Sequence, residues 1–494
     1  MGLWSGPEDG TPGCPPDRRG LGEEPSASRM TASPDPPMAG SFGHPRAQAA
    51  LAERPGALLR LLEAARKNLL LYLPGHPQVA ASLHEFHAGL GVILKSRGSV
   101  RFDIYEDAFF LGNRILLEES LQTPGLLEEL MTNHVGSVEF LQGAPLQEAT
   151  RFVELLAAAG RQSHLGDAVA AAGLQFIKTG PPKELGKGEQ KATGLAPREL
   201  YRIGLRTMDA LNYQAVQGAP LNLRNARLLG NSMVNVILHD RHALLGVAAL
   251  YQHDEDTCHH SVDVAVLSLM LGLRIGLDEP GLLALGTAAL LHDIGKMSIP
   301  RSLLGKPGGV TATERSVIER HTVHGAGMVQ HLQGLAQTAM LVALEHHLNY
   351  DLSGYPRLPW AKKQHLFTRI VAIGDFFDAS TSARRTYRKP LLPDQAMHAI
   401  VTGAGKLFDP TLAALFLNTV GGFPVGSVVR LSSGEVGVVY RPTEGKALQP
   451  QLKVIRDAQG AVLEPVLVDM AQDQRRVLHC IDPIRAGIDL TAYL

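Results

Sequence analysis

The chain has 494 residues, 45% of them hydrophobic and 19% charged, with a formal net charge of −1. That length allows about two to four domains, and the charge balance offers no basic excess for gripping a nucleic acid polymer. Cys14, Cys258 and Cys480 are widely separated and odd in number, which argues against a disulfide framework and fits a reducing compartment. No stretch approaches the ~20 uninterrupted apolar residues that span a bilayer. The N-terminal stretch holds no apolar signal core, and no apolar run follows Arg18-Arg19, so a twin-arginine signal is set aside. A cytoplasmic protein without a membrane segment is expected.

Residues 1–50 are rich in Pro, Gly and Ser and read as a disordered tail. Residues 51–178 read as an α+β domain with a regulatory or dimerisation role, assigned by elimination. Leu58, Leu59, Leu61, Leu62, Ala65, Leu69 and Leu70 recur at helical spacing, and a second helix is expected after Pro77. Val100-Arg101-Phe102-Asp103-Ile104 and Val138-Glu139-Phe140 alternate as strands. Residues 179–197 read as a linker. A long helical region is expected over 198–421, with Gly and Pro mainly at element boundaries. Within it, Thr311-Ala312-Thr313-Glu314 is a capping box that should open the helix carrying His321. Over 422–494 the period returns to two, through Val428, Arg430, Val436, Val438 and Tyr440. An antiparallel β module is expected there, with a barrel as one form it could take.

The chemistry concentrates between His260 and Asp375. Five histidines and two aspartates (His260, His292, Asp293, His321, His346, His347 and Asp375) lie at or near the ends of apolar helical segments. Polar groups turned into a helical core need partners. Any one of these histidines, taken alone, is more simply a hydrogen-bonded core residue; seven at this spacing point to a dinuclear metal site. Neighbours on a helix diverge by about 100°, so His346 and His347 should not grip one ion side by side as an i, i+4 pair would, but both can contribute to a wide site near a helix end. Asp293 has two oxygens and could bridge two cations while His292 binds one. Imidazole and carboxylate ligation suits Fe, Mn, Zn or Ni, and the absence of thiolates argues against structural zinc. Two anionic ligands leave excess positive charge, which attracts a phosphodiester and acidifies a bridging water. Lys296, three residues after Asp293, could meet the phosphoryl charge if the helix continues; a lone lysine there is otherwise an exposed helix-end residue.

At these residues the chain resembles the HD-GYP phosphodiesterases, a subgroup of the HD superfamily. The resemblance rests on His260-Ser261, LLHDIGKMSIP (290–300), LLGKPGGVT (303–311), His321 with Gly325, EHHLNYDLSGYP (345–356), RIVAIGDFFDAST (369–381) and FDP (408–410). It covers about residues 200–421 and implies an all-helical catalytic domain there, so the fold expected is multidomain: the N-terminal α+β domain, a central all-α HD-type bundle and a small C-terminal antiparallel β module, which looks like the tail of many such proteins. It implies hydrolysis of cyclic di-GMP, to linear pGpG or on to GMP, by a metal-bridging hydroxide. It implies the seven residues as ligands of two iron or manganese ions and Lys296 as a phosphate contact. Asp256 would ligate a third metal in some members; a helix N-cap is the simpler role. His253, His259, His324 and His331 fall at no ligand position of the family.

Three departures bear on substrate grip. Leu348 replaces the usual Glu after the paired histidines. Leu352 replaces a Gly, and leucine resists positive φ, so the loop should take a different path. Around Ser382–Arg388 there is one extra residue, and Thr386 stands for the usual Pro; Arg384 or Arg385, and Arg388, are the candidates to hold the nucleotide. Gly354-Tyr355-Pro356 is kept and is expected to line the cleft more than to contact a GGDEF-type cyclase. No heptad run supports a homodimer, although related proteins often dimerise. Two other readings stand beside hydrolysis: a cyclic dinucleotide receptor with weak or no turnover, and a different HD-superfamily reaction such as nucleotide dephosphorylation.

Overall fold

The computed structural model describes residues 49, 51–73, 75–105, 108–112, 114–158, 165–182, 195–250, 257–306, 308–330, 336–359, 363–382 and 390–494. The N-terminal part begins with helices α1 (Ala57–Leu71) and α2 (Pro77–Arg97). Strands β1 (Ser99–Tyr105), β2 (Ala108–Leu111), β3 (Arg114–Ile115), β4 (Ser137–Leu141) and β5 (Ile177–Gly180) form an antiparallel sheet in the order β3-β2-β1-β4-β5. Helices α3 (Leu117–Gln122), α4 (Pro124–Thr132), α5 (Leu146–Ala158) and α6 (Leu165–Ala171) connect them. Alternation decides what the sheet buries: Val100, Phe102 and Ile104 of β1 turn inward, and Val100 stands opposite Phe140. Phe140 meets Phe86 of α2 edge-on, with ring centroids 5.9 Å apart. Strand β5 carries the sheet two residues into the stretch expected as linker.

The central part is helical: α7 (Pro197–Val216), α8 (Leu223–His239), α9 (Ala243–Leu250), α10 (Thr257–Arg274), α11 (Glu279–Leu291), a 3-10 turn over Ile294–Ser298, α12 (Arg301–Leu304), α13 (Ala312–Glu319), α14 (His321–Val329), α15 (Ala336–Glu345), α16 (Leu366–Thr381), α17 (Pro393–Thr402) and α18 (Pro410–Val420). The sequence of α11, EPGLLALGTAALL, is apolar on every side, so it can only sit inside a bundle. Its Leu285, Ala288 and Leu291 are fully buried, as are Val264 and Leu271 of α10 and Ile370 and Ile373 of α16. The capping box at Thr311 and Glu314 forms, but the helix it opens, α13, stops at Glu319. His321 instead begins α14, after a break at Arg320.

The C-terminal sheet is antiparallel in the order β10 (Val477–Ile481), β6 (Val428–Leu431), β7 (Val436–Arg441), β8 (Gln451–Arg456), β9 (Val462–Asp469). Its outermost strands, β10 and β9, do not pair with each other, so the sheet is open rather than closed into a barrel. Both sheets share packing with the bundle. Phe110, Ile115 and Leu117 belong to the same buried cluster as Leu200, Ile203 and Leu229, and Val425 joins that cluster from the C-terminal side. No helix among the described residues is long and apolar enough to cross a membrane.

Candidate metal centre

Three helices and two turns deliver the seven predicted residues to one place. His260 sits in α10, His321 opens α14 and Asp375 lies in α16. The pairs His292-Asp293 and His346-His347 fall just beyond the ends of α11 and α15. There the histidine side chains donate to carbonyls of the last turns, where regular helical bonding runs out. His292 Nδ1 donates to Ala289 O at 2.7 Å, His346 Nδ1 to Ala343 O at 3.0 Å, and His321 Nδ1, just past α13, to Ile318 O at 2.7 Å. A carbonyl only accepts, so each of these rings carries its proton on Nδ1 and presents Nε2 as a lone pair. One contact per ring both caps a helix and sets a ligand's tautomer.

The side chains form two adjoining groups: Asp293, His321, His346 and His347, and beside them His260, His292 and Asp375. Within each group the ligand-type atoms lie within 4.8 Å of one another. Asp293 joins the groups. Its Oδ2 is 3.3 Å from His260 Nε2 and 3.4 Å from His292 Nε2. Its Oδ1 is 3.3 Å from His321 Nε2 and 3.5 Å from His346 Nε2. His346 and His347 both contribute to one group, as expected of a pair near a helix end. Because α15 ends at Glu345, the pair escapes helical geometry, its rings lie 4.2 Å apart, and both face one group.

Three atoms here, His260 Nε2, His292 Nε2 and Asp293 Oδ1, are buried without a hydrogen bond. Leaving such atoms unpaired costs about 1–3 kcal/mol each, and divalent cations in the two groups would satisfy them. The protonation states agree. Burial pushes His321 down to about 4 and, with the neighbouring His346, holds His347 well below the ordinary imidazole range, so both keep free lone pairs. Burial alone would raise Asp293, but Lys296 and His292 hold its carboxyl well below its usual range. Burial opposes the charged form of His260 too, yet its contacts with Asp293, Asp375 and Asp378 raise its proton affinity well above normal. Imidazoles interleaved with ionised carboxylates are a donor set for borderline divalent ions, and a cation bound there would displace the second proton of His260. The residues therefore fit the metals that the motifs imply.

Around this centre the helix does not continue to Lys296. The 3-10 turn carries it, and its ammonium reaches Asp293 Oδ2 while staying partly exposed. That turn lies hard against α14: a Cβ on Gly295 would come within 2.0 Å of His321 O and 2.4 Å of Gly325 N. The glycine therefore sets how closely the Asp293 turn approaches His321. Tyr355 covers the open side, its ring centroid 4.6 Å from that of His347 and 6.1 Å from that of His321. Gly354 has φ +96°, and a Cβ there would meet His347 O at 2.3 Å.

Leu352 does take positive φ, +64°, which corrects the expected change of loop path. The cost of about 1–2 kcal/mol is met by backbone bonds on both sides, Asn349 N to Ser353 O at 2.7 Å and Asp351 N to Lys406 O at 3.0 Å. Leu348 is buried and bridges to Gly354. Asp256, Arg384, Arg385 and Arg388, with His253 and His331, lie outside the described residues. His259 is buried against Tyr201, and His324 is exposed.

Sequence reasoning missed three buried residues. Asp378 Oδ2 accepts from His260 Nδ1 at 2.6 Å. Glu345 Oε2 accepts from His365 N at 3.2 Å and Thr368 Oγ1 at 3.1 Å, tying the His346 turn to the start of the Asp375 helix. Gln364 Nε2 donates to Leu348 O at 2.5 Å. The only hint in the sequence was proximity, since Asp378 follows Asp375 by three and Glu345 precedes the histidine pair.

Two adjoining clusters that share one carboxylate, built at the ends of bundled helices, form groups of side chains that could hold metal ions. Residues 233–412 match the family model of the HD domain. The chain is 35% identical over 251 residues to a cyclic di-GMP phosphodiesterase of Pseudomonas aeruginosa, covering 51% of this chain and 60% of that protein. It is 36% identical over 220 residues to the cyclic di-GMP phosphodiesterase response regulator RpfG of Xanthomonas campestris, covering 44% of this chain and 57% of the relative. With a 3'3'-cGAMP-specific phosphodiesterase of Vibrio cholerae it shares 33% identity over 170 residues, 34% of this chain and 32% of that one. The chain thus spans less than two thirds of the length of each of these relatives. Within the matched region the HD-GYP resemblance read from the motifs holds.

Proposed function

We propose that the chain is a metal-dependent phosphodiesterase that opens a cyclic dinucleotide, cyclic di-GMP first, to pGpG, GMP or both. The observation that carries this reading is Asp293, whose two oxygens each face two imidazoles from different groups. Two divalent ions, iron or manganese, would be held by His260, His292 and Asp375 on one side and His321, His346 and His347 on the other, with Asp293 between; Asp256 is the candidate ligand for a third. Ions bound there would supply Lewis acidity and an acidified water.

The chain's own residues do the rest. Nδ1–H bonds to carbonyls hold three rings in one tautomer before substrate arrives. Lys296 keeps Asp293 ionised and stays exposed enough to meet a phosphate oxygen, where charge develops during the reaction. Tyr355, lying against His347, presents a ring face on which a base could stack. Its place over the centre favours a cleft role for Gly354-Tyr355-Pro356 over contact with a GGDEF-type cyclase. The receptor reading loses one of its grounds, because Leu352 adopts the positive φ in question.

The test is product formation from cyclic di-GMP by protein purified without oxygen and loaded with iron or manganese, beside Asp293→Ala. Turnover in the first and none in the second is expected, and chromatography separates pGpG from GMP. Turnover of 3'3'-cGAMP alone would move the substrate and keep the reaction class. Binding without turnover, at a confirmed content of two metals, would replace the enzyme by a receptor.

A further inference from the structure

We propose that Asp378 is a positioning residue for one of the two metal sites, acting through His260; this rests on the metal-centre reading above. The four rings whose Nδ1 contacts are short fall into two kinds. His292, His321 and His346 give Nδ1–H to neutral backbone carbonyls. His260 gives its Nδ1–H to a carboxylate, Asp378 Oδ2, at 2.6 Å. That contact does two things. It holds a proton on Nδ1 and turns Nε2, 3.3 Å from Asp293 Oδ2 and 3.2 Å from Asp375 Oδ1, toward the group that would hold the metal. It also places an anion behind the ring, which makes Nε2 a stronger donor than a carbonyl-backed imidazole.

The fold protects the contact. Asp378 and Asp375 lie three residues apart on α16, so one helix face presents both the ligand and the residue that orients its neighbour on α10. Asp378 is 5% exposed and His260 7%. Asp378 also lines a small pocket with Leu245, Leu267, Phe377, Val425 and the carboxylate of Asp263. In such low-dielectric surroundings a charge-assisted hydrogen bond strengthens.

The effect should be confined to one site. Asp378 holds the ring of His260, which belongs with His292 and Asp375, whereas His321, His346 and His347 gather with Asp293 in the adjoining group.

The test is a titration of the metal-stripped full-length protein with manganese against a chromophoric chelator, without substrate. It compares wild type with Asp378→Asn and Asp378→Ala. The wild type should show two sites. Asp378→Ala should weaken one of them by about 10- to 100-fold and leave the other unchanged. Asp378→Asn, which keeps an acceptor and loses the charge, should fall between. The unfolding temperature of the metal-free protein serves as the second measurement. Both sites unchanged in both variants would overturn the proposal. So would equal weakening of both sites together with a large drop in the metal-free unfolding temperature, which is what a purely structural residue would produce. A wild type that binds no manganese would overturn the metal-centre reading, and this inference with it.

Discussion

Asp293 faces four imidazoles with two oxygens and is paired with Lys296, so the lysine has two separable jobs: holding the carboxylate and meeting substrate charge. If the second dominates, Lys296→Met lowers kcat by about 10²- to 10³-fold, the range seen for loss of one preorganised donor, with metal content intact. Steady-state kinetics with metal analysis on the same sample decides it, since loss of metal would assign the lysine to Asp293 instead. At this scale the ligand types were legible, because histidine and aspartate interrupt otherwise apolar helices and have no other reason to be buried. Asp378 and Glu345 were not. Each reads as one more polar residue near a helix end until its partner, more than a hundred residues away for Asp378 and 20 for Glu345 along the chain, is brought beside it.

Elements set the geometry of the centre through where helices stop. Gly295→Ala places a methyl within 2.0 Å of His321 O, backbone that cannot rotate aside. The 3-10 turn and α14 must then separate. A stability loss of about 1–3 kcal/mol is expected, the usual cost of overpacking, together with weaker metal binding; thermal unfolding with and without manganese measures both. The start of α13 carries a pH dependence. Bonds from Lys306 and Thr311 depress Glu314 from 4.5 to about 2. A depressed carboxyl stabilises the fold above its unfolded value, so this contribution is complete above pH 4.5 and lost as pH falls toward 2. The gap in unfolding temperature between wild type and Glu314→Gln should therefore be widest above pH 5 and close on acidification. A gap independent of pH would assign the effect to shape rather than charge.

Across the whole molecule the three parts share surfaces rather than sitting on strings. Phe110, Ile115 and Leu117 are buried with Leu200, Ile203 and Leu229. Glu118 accepts from Arg206 at 2.8 Å, and Asp394 from Cys480 N at 3.0 Å. Residues 195–494 expressed alone would expose the bundle's side of the first contact, and each large side chain uncovered forfeits about 1.5–3 kcal/mol. A lower unfolding temperature than that of the full chain is expected by calorimetry; equal temperatures would show that the N-terminal domain does not support the bundle. A signal received by the N-terminal sheet would have a packed route toward α7 and α8 through this contact.

The sequence by itself determined the period of each element, and with it the order of α+β, helical and β parts, as well as the chemistry of the seven ligand-type residues. These follow from local rules, since alternation, helical spacing and burial of polar groups are visible within a dozen residues. Only the tertiary structure decided the rest: that α13 and α14 break at Arg320, that His346 and His347 converge, that Leu352 keeps a left-handed turn, and that the β module stays open. Each depends on contacts between segments far apart in the chain. The approach of Gly295 to His321, the tie from Asp351 to Lys406 and the partner of each strand edge are set by packing, which no local pattern encodes.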